Sequence, residues 1–314
     1  MKVQKKYQGT IVPVVTPVTA DFKLDHEAVE KIFSHLYRND ARPFILGTTG
    51  ESASLSNSVK LDYLNAAVKN KKPGTILYVS VSSNCFEDSV DFAKLCFDQG
   101  VDVVASTLPT YYKLSEYSMM KYFEQLAEQV NGPLIVYNIP ATTNMSIPLS
   151  VIDELSHHPN IVGTKDSERS DERLDSSLKL WSHREDFSHF LGWAAKSAYS
   201  LINGSDGLIP STGNLHPGLY YDMTQAVLNG DHQKAYEAQR QSDLLGDLYQ
   251  GGRTLGESLW ALKVLMSEYG LCKANVIKPL QLMSTEEELQ LIHSFRELIK
   301  KEGIQINLSL THAG

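Results

Sequence analysis

The chain has 314 residues, of which 42% are hydrophobic and 21% charged, a balance that supports a sizeable core and excludes a disordered or collagen-like chain. Its formal charge of -8, from 37 acidic and 29 basic residues, argues against nucleic acid as a partner, because the short lysine clusters (Lys5 and Lys6; Lys69, Lys71 and Lys72) are of the size that solvated surfaces carry. Cys85, Cys96 and Cys272 are odd in number and share no metal-ligand spacing, so neither a disulfide framework nor a metal site is expected, and a reducing, cytoplasmic setting is.

Residues 11–15, Ile-Val-Pro-Val-Val, read as a first strand. The polar, basic segment 1–10 before it and the break at Pro13 do not have the form of a secretory signal. A helical pattern follows over 25–37, with Asp25 as N-cap, Glu27 in the first turn and Ala28, Val29, Ile32, Phe33 and Leu36 on one apolar face. Seven more strands are expected near 44–46, 76–81, 101–105, 134–137, 161–164, 187–191 and 207–209, with helical patterns such as 59–68 and 119–130 between them. Several of these runs are too continuously apolar to have a wet face. Alternation alone is also compatible with an open doubly wound sheet, but the count of eight and the lack of a Gly-x-Gly-x-x-Gly after any strand favour a closed (β/α)8 barrel, the TIM barrel of the α/β class. After about Asn229 the strands stop and three helices are expected, over 233–249, 255–269 and 285–301. The last has Thr285 and Glu288 at capping-box spacing. The organisation read from this is a barrel over 1–229 and a helical extension over 230–314. No apolar stretch approaches the roughly 20 residues needed to span a bilayer.

Working groups of such barrels lie at the C-terminal ends of the strands and in the loops that follow. Three segments fall there: Gly-Thr-Thr-Gly-Glu-Ser at 47–52, Tyr-Asn-Ile-Pro at 137–140 and Gly-Thr-Lys-Asp-Ser at 163–167. Taken singly, each has a plain structural explanation: a glycine-rich turn, a buried barrel tyrosine and a solvated lysine. Taken together they form a carboxylate cradle of hydroxyls and helix-start N–H groups, a phenol for proton transfer, and an amine. Burial of Lys165 would supply what the chemistry needs, since removing roughly three pK units of excess basicity at pH 7 costs about 4 kcal/mol. The neutral amine then attacks a ketone, and the iminium formed is an electron sink for the neighbouring carbon.

These three segments, together with Gly-Ser-Asp-Gly-Leu-Ile at 204–209, resemble in order and approximate spacing the dihydrodipicolinate synthase and N-acetylneuraminate lyase family of pyruvate-dependent class I aldolases. The resemblance covers nearly the whole chain, including the three C-terminal helices. It implies that Lys165 forms a Schiff base with pyruvate, that Tyr137 shuttles the proton, and that Thr48 and Thr49 hold the pyruvate carboxylate. Thr48 would also bridge Tyr137 to a second tyrosine, matched by Tyr111, which in family members reaches into a neighbouring subunit's site. Ile209 and Gly192 match positions beside the bound oxo acid. A homotetramer built as a pair of dimers is implied, and neither a metal nor an organic cofactor is required, since the lysine itself supplies the electron sink.

Departures from the family narrow the substrate. The synthases place an arginine where this chain has Thr142 and a proline-rich stretch where it has residues 252–258. The N-acetylneuraminate lyases place an aromatic residue, Asp and Glu where it has Trp193, Ala194 and Ala195, although Ser211 could still offer a hydroxyl. Lys165 followed by Asp166 is similar to the 2-keto-3-deoxy sugar acid aldolases. The expected reaction therefore joins pyruvate to an aldehyde, or splits a 2-keto-3-deoxy sugar acid into the two. The alternatives are 4-hydroxy-tetrahydrodipicolinate synthase, N-acetylneuraminate lyase, and a non-catalytic homologue that binds an oxo acid.

Overall fold

The structure, a computed structural model, describes residues 5–306; residues 1–4 and 307–314, the outer ends of the two expected units, lie outside the described residues. Eight parallel strands close in chain order: β1 (Gly9–Pro13), β2 (Arg42–Ile45), β3 (Tyr78–Ser80), β4 (Val103–Ser106), β5 (Leu134–Asn138), β6 (Ile161–Asp166), β7 (Ser188–Leu191) and β8 (Gly207–Leu208). Gly9 and Thr10 of β1 pair with Gly207 and Leu208 of β8, so the sheet has no edge and the open-sheet alternative is excluded.

Period-two alternation divides the strand residues between two cores. Ile11, Phe44, Val103, Ala105, Ile135 and Phe190 meet inside the barrel. Their neighbours Val12, Ile45, Val104 and Val136 face outward into the layer shared with the helices. Both faces of the strands are thus dry, which is why the runs read as continuously apolar.

The first helix spans His26–Arg38, and Asp25 caps it by accepting from the Ala28 amide, as its sequence pattern predicts. Two differences have local causes. β1 begins two residues earlier than expected and ends at Pro13, because the Gly9 amide already bonds Asp206 O while the Val15 amide is drawn to the Asn214 side chain. The last helix, Thr285–Glu302, has its capping box at Ser284 and Glu287 rather than at Thr285 and Glu288, one residue earlier in the same acidic run. One lysine expected in solvent is not there: Lys5 is buried, and its ammonium donates to Asp206 and to the carbonyls of Trp181 and Phe187.

The three C-terminal helices, His232–Gln250, Leu255–Ser267 and Thr285–Glu302, are present. The middle one is apolar almost all round and buried accordingly, with Trp260, Leu262, Val264 and Leu265 in the same cluster as Val12 and Phe33 of the barrel. Its Lys263 points inward to Glu51, in the loop after β2; both side chains are completely buried. The Lys263 ammonium also donates to Asn275 O at 2.7 Å, and the second Glu51 carboxylate oxygen accepts from the Ile277 amide at 2.7 Å. Glu51 itself has a left-handed backbone (φ 57°), so this pair fixes the otherwise unfavourable turn of the 47–52 segment against the extension.

Breaking one partner of a buried pair leaves an uncompensated charge and costs about 3–5 kcal/mol. Lys263→Met is therefore expected to lose that much unfolding free energy in denaturant titration, and the double variant Glu51→Leu/Lys263→Met to regain much of it. A single variant within about 1 kcal/mol of the parent would contradict this role.

Candidate active site

Lys165 and Tyr137 face each other across adjacent strands: they are register partners in the β5–β6 ladder, and Lys165 is also the partner of Phe190 on β7. β6 runs two residues further than its apolar run suggests, so Lys165 is the penultimate residue of a strand and not the first residue of a loop. Because Tyr137 and Phe190 point inward, so does Lys165, which is 3% exposed. Its Nζ lies 3.8 Å from the Tyr137 ring centroid and 5.0 Å from that of Phe44. Among the described residues no carboxylate is ion-paired with it.

Burial strips water from the Lys165 ammonium and pulls its pKa below that of a free lysine, with Tyr137 opposing the change. Burial by itself would raise the Tyr137 phenol, but the adjacent Lys165 charge and hydrogen bonding with Thr48, Lys165 and Ser167 bring it below its usual value. The ammonium–phenolate and amine–phenol forms of this pair contain the same number of protons. Moving one proton between the two groups therefore interconverts an ion pair and a nucleophile beside an acid.

Behind the lysine, hydrogen bonds immobilise the strand end. Asp166, also 3% exposed, accepts from Asn138 at 2.9 Å, from the Glu168 amide at 3.0 Å and from Arg173 Nε at 2.6 Å. Glu168 in turn accepts from Asn138 at 3.0 Å and from Ser146 at 2.6 Å. The Ser167 amide donates to Asn138 O and the Gly192 amide to Asp166 O, so the peptide carrying Lys165 is tied to β5 and β7 on both sides. At Gly192 a Cβ would stand 2.1 Å from Ser167 Oγ; a side chain there would collide with the segment that follows the lysine.

A cavity of about 510 Å3 opens above this pair. Of the residues singled out in the sequence, it brings together Lys165, Tyr137, Thr48, Thr49, Gly192, Ile209 and Ser211. The hydroxyls of Thr48 and Tyr137 are 3.5 Å apart, and Ser211 Oγ is 2.7 Å from the Tyr249 hydroxyl. Thr142 lines an adjoining cavity that shares Thr48 and Tyr137 with the first. Tyr111 stays outside both: it is 79% exposed, its ring edge-on to that of Tyr112 at 4.9 Å.

The expected helix-start cradle at 47–52 takes a different form. The only helical piece is a three-residue turn, Ser52–Ser54, and the amides of Gly50, Glu51 and Ser52 are used in turn bonds to Gly47 and Thr48 carbonyls. The segment's contribution to the cavity is therefore Thr48 and Thr49. Gly50 is required for the tight return, since a Cβ would lie 3.0 Å from Val14 O and 3.2 Å from Leu46 N.

Sequence reading missed Phe44, whose ring lies against the lysine, and several walls of the cavity: Ser167 and Arg169 after the lysine, and Tyr249, Gln250 and Arg253 from the extension. The signal that could have found Arg169 is its place four residues beyond the candidate lysine, in the loop after β6. Nothing local marks Tyr249 or Arg253, which reach the site only because the extension folds over the barrel mouth.

Comparison with known proteins agrees with this architecture. The model of the dihydrodipicolinate synthetase family matches residues 6–298. A 4-hydroxy-tetrahydrodipicolinate synthase of Brachyspira hyodysenteriae is 28% identical over 240 residues, 74% of this chain and 79% of the relative. A DapA-like lyase of Pyrococcus furiosus is 28% identical over 302 residues, 95% of this chain and 100% of the relative. The crystal structure of dihydrodipicolinate synthase from Bacteroides thetaiotaomicron superposes with a TM-score of 0.87 at 27% identity, covering 95% of this chain and 100% of that one. The barrel, the extension and the matched span of residues make the chain a member of the dihydrodipicolinate synthetase family of class I aldolases and lyases.

Proposed function

We propose that the protein is a Schiff-base aldolase that joins pyruvate to an aldehyde or cleaves a 2-keto-3-deoxy sugar acid into the two, with Lys165 as the amine. The observation that carries this reading is Lys165 itself: an inward, desolvated amine beside a phenol and free of any carboxylate among the described residues. An amine kept only for its charge would be expected to sit opposite an acid, as Lys5 and Lys263 do.

In the cleavage direction, Lys165 Nζ adds to the C2 carbonyl and water leaves, giving an iminium. The Tyr137 phenolate takes the C4 hydroxyl proton, the C3–C4 bond breaks, and its electron pair flows into the iminium to give an enamine and a free aldehyde. Protonation at C3 and hydrolysis then release pyruvate and restore the amine. Thr48 and Thr49 hold the carboxylate, and Thr48 orients the Tyr137 hydroxyl. Ile209 and Gly192 pack beside the oxo acid, while Thr142 and Ser211 face the aldehyde half. The proposed reaction needs no added cofactor, and the chain's free cysteines, Cys85, Cys96 and Cys272, suit a reducing cytoplasm.

The several relatives named 4-hydroxy-tetrahydrodipicolinate synthase favour a second reading, condensation of pyruvate with aspartate semialdehyde. Thr142 speaks against it, because a neutral side chain stands where the family synthases place an arginine.

The proposed assembly is a homotetramer arranged as a pair of dimers. Tyr111 and Tyr112, 79% and 74% exposed, form an aromatic patch of the kind a second copy covers, and Tyr111 would enter the neighbour's site from there.

Two outcomes are expected. In a pyruvate-release screen over 2-keto-3-deoxy sugar acids, run beside an aspartate semialdehyde condensation assay, the sugar acids turn over faster; Lys165→Ala abolishes turnover and Tyr137→Phe lowers kcat by about 10²–10⁴-fold. Dominant condensation would favour the synthase, and full activity of Lys165→Ala would end the Schiff-base reading. Light scattering is expected to give four times the 35.0 kDa protomer mass, and a fully active monomer would contradict the role of Tyr111.

A further inference from the structure

The charge of the cavity walls does not match that of the chain. Although the protein has a formal charge of -8, the residues lining the cavity above Lys165 include Lys165, Arg169 and Arg253 and not one carboxylate. The arginine ion pairs of the described residues are made by Arg42, Arg173, Arg184, Arg240 and Arg296, so neither Arg169 nor Arg253 is neutralised by a partner in this way.

Arg169, which is exposed, and Arg253 line the cavity from different parts of the fold. Arg169 follows β6 by three residues and its charge is felt at the Tyr249 hydroxyl, which is itself bonded to Ser211, Thr212 and Gln250 at 2.7, 3.1 and 2.8 Å. Arg253 is half-buried, and its Nη1 donates to Leu248 O at 3.0 Å, which fixes it at the end of the helix His232–Gln250. A cavity of about 510 Å3 falls in the roughly 300–1,000 Å3 range of sites for metabolite-sized ligands and is larger than a three-carbon oxo acid needs. The carboxylate of that acid is provided for by Thr48 and Thr49. Although Arg169 is exposed and Arg253 feels the charges of Glu257 and Glu287 from outside the lining, no carboxylate lines the cavity, so two further cations there favour a second negative charge on the ligand.

Resting on the aldolase reading and extending it, we propose that Arg169 and Arg253 form a subsite for an anionic group, carboxylate or phosphate, at the end of the substrate remote from the 2-oxo acid. The aldehyde half would then be an anionic aldehyde and not a neutral sugar fragment. In the joining direction the pyruvate enamine C3 attacks the aldehyde carbon, the new alkoxide takes the Tyr137 proton, and water hydrolyses the iminium to release product and the Lys165 amine. The arginines act on the far end of the aldehyde throughout and exchange no proton.

Three aldehydes of one three-carbon frame separate the possibilities: glyceraldehyde with a neutral end, tartronate semialdehyde with a carboxylate, and glyceraldehyde 3-phosphate with a phosphate. Each is offered with pyruvate to the full-length protein. The expected result is a kcat/KM at least tenfold higher for one or both anionic aldehydes than for glyceraldehyde, expressed mainly in KM and weakened by added salt. Arg169→Gln and Arg253→Gln each reduce that preference at least fivefold, with Arg→Lys at the same positions keeping part of it. Equal kcat/KM for all three aldehydes, or a preference that both glutamine variants leave unmoved, would overturn the subsite while leaving the aldolase reading in place. Failure of pyruvate to form an adduct at Lys165 would overturn the underlying reading and the subsite with it.

Discussion

The structure's chemistry depends on the desolvation of one ammonium group. A lysine in water is protonated at neutral pH and is no nucleophile; at the inner end of β6, walled by Phe44 and the Tyr137 ring and 3% exposed, the charged form of Lys165 loses its hydration and gains no carboxylate among the described residues in return. Among the described residues, Tyr137 is the titratable group whose charge and hydrogen bonding act on it. The closed barrel makes this possible, because parallel pairing sets Tyr137 and Lys165 side by side and turns both inward at the mouth. The hydrogen bonds of Asp166, Asn138 and Arg173 then keep the strand end from relaxing toward solvent.

The extension is part of that arrangement. The buried Glu51–Lys263 pair ties the loop bearing Thr48 and Thr49 to the helix Leu255–Ser267, and Leu255, Ser258, Leu259 and Leu262 of the same helix line the cavity. The helix that anchors the loop bearing Thr48 and Thr49 therefore also lines the cavity above Lys165. Two inward charged residues in one apolar layer are costly unless matched, and here each finds its partner together with a backbone group, Asn275 O for the lysine and the Ile277 amide for the glutamate.

The alternation of strand and helix, the barrel and the three extra helices were legible in the sequence because their signals are local: β-branched runs with both faces dry, an Asp25 cap, an apolar helix face. The lysine, phenol and threonines were legible because strand ends are where a barrel places its chemistry, and the cavity gathers them. What escaped depends on long-range closure. Lys5 reads as a surface charge until Asp206, distant in sequence, folds over it. Arg253 and Tyr249 become walls of the site only when the extension docks. Tyr111 lies outside the protomer's cavity, so the part proposed for it in the chemistry requires a second copy.

Family membership fixes the architecture and the class of chemistry; the side chains proposed to face the aldehyde half depart from the resembled synthases and lyases. Thr142, Ala194 and Ala195 differ from the residues that the resembled synthases and lyases use, while Arg169 and Arg253 line the cavity above Lys165. All of these matter only if Lys165 captures the oxo acid. The most direct test is borohydride reduction at neutral pH in the presence of pyruvate, followed by mass spectrometry of proteolytic peptides. A reduced carboxyethyl adduct confined to the peptide bearing Lys165, and absent when pyruvate is omitted, is the predicted result; an unlabelled Lys165 with turnover intact, or an adduct on a different lysine, would contradict it.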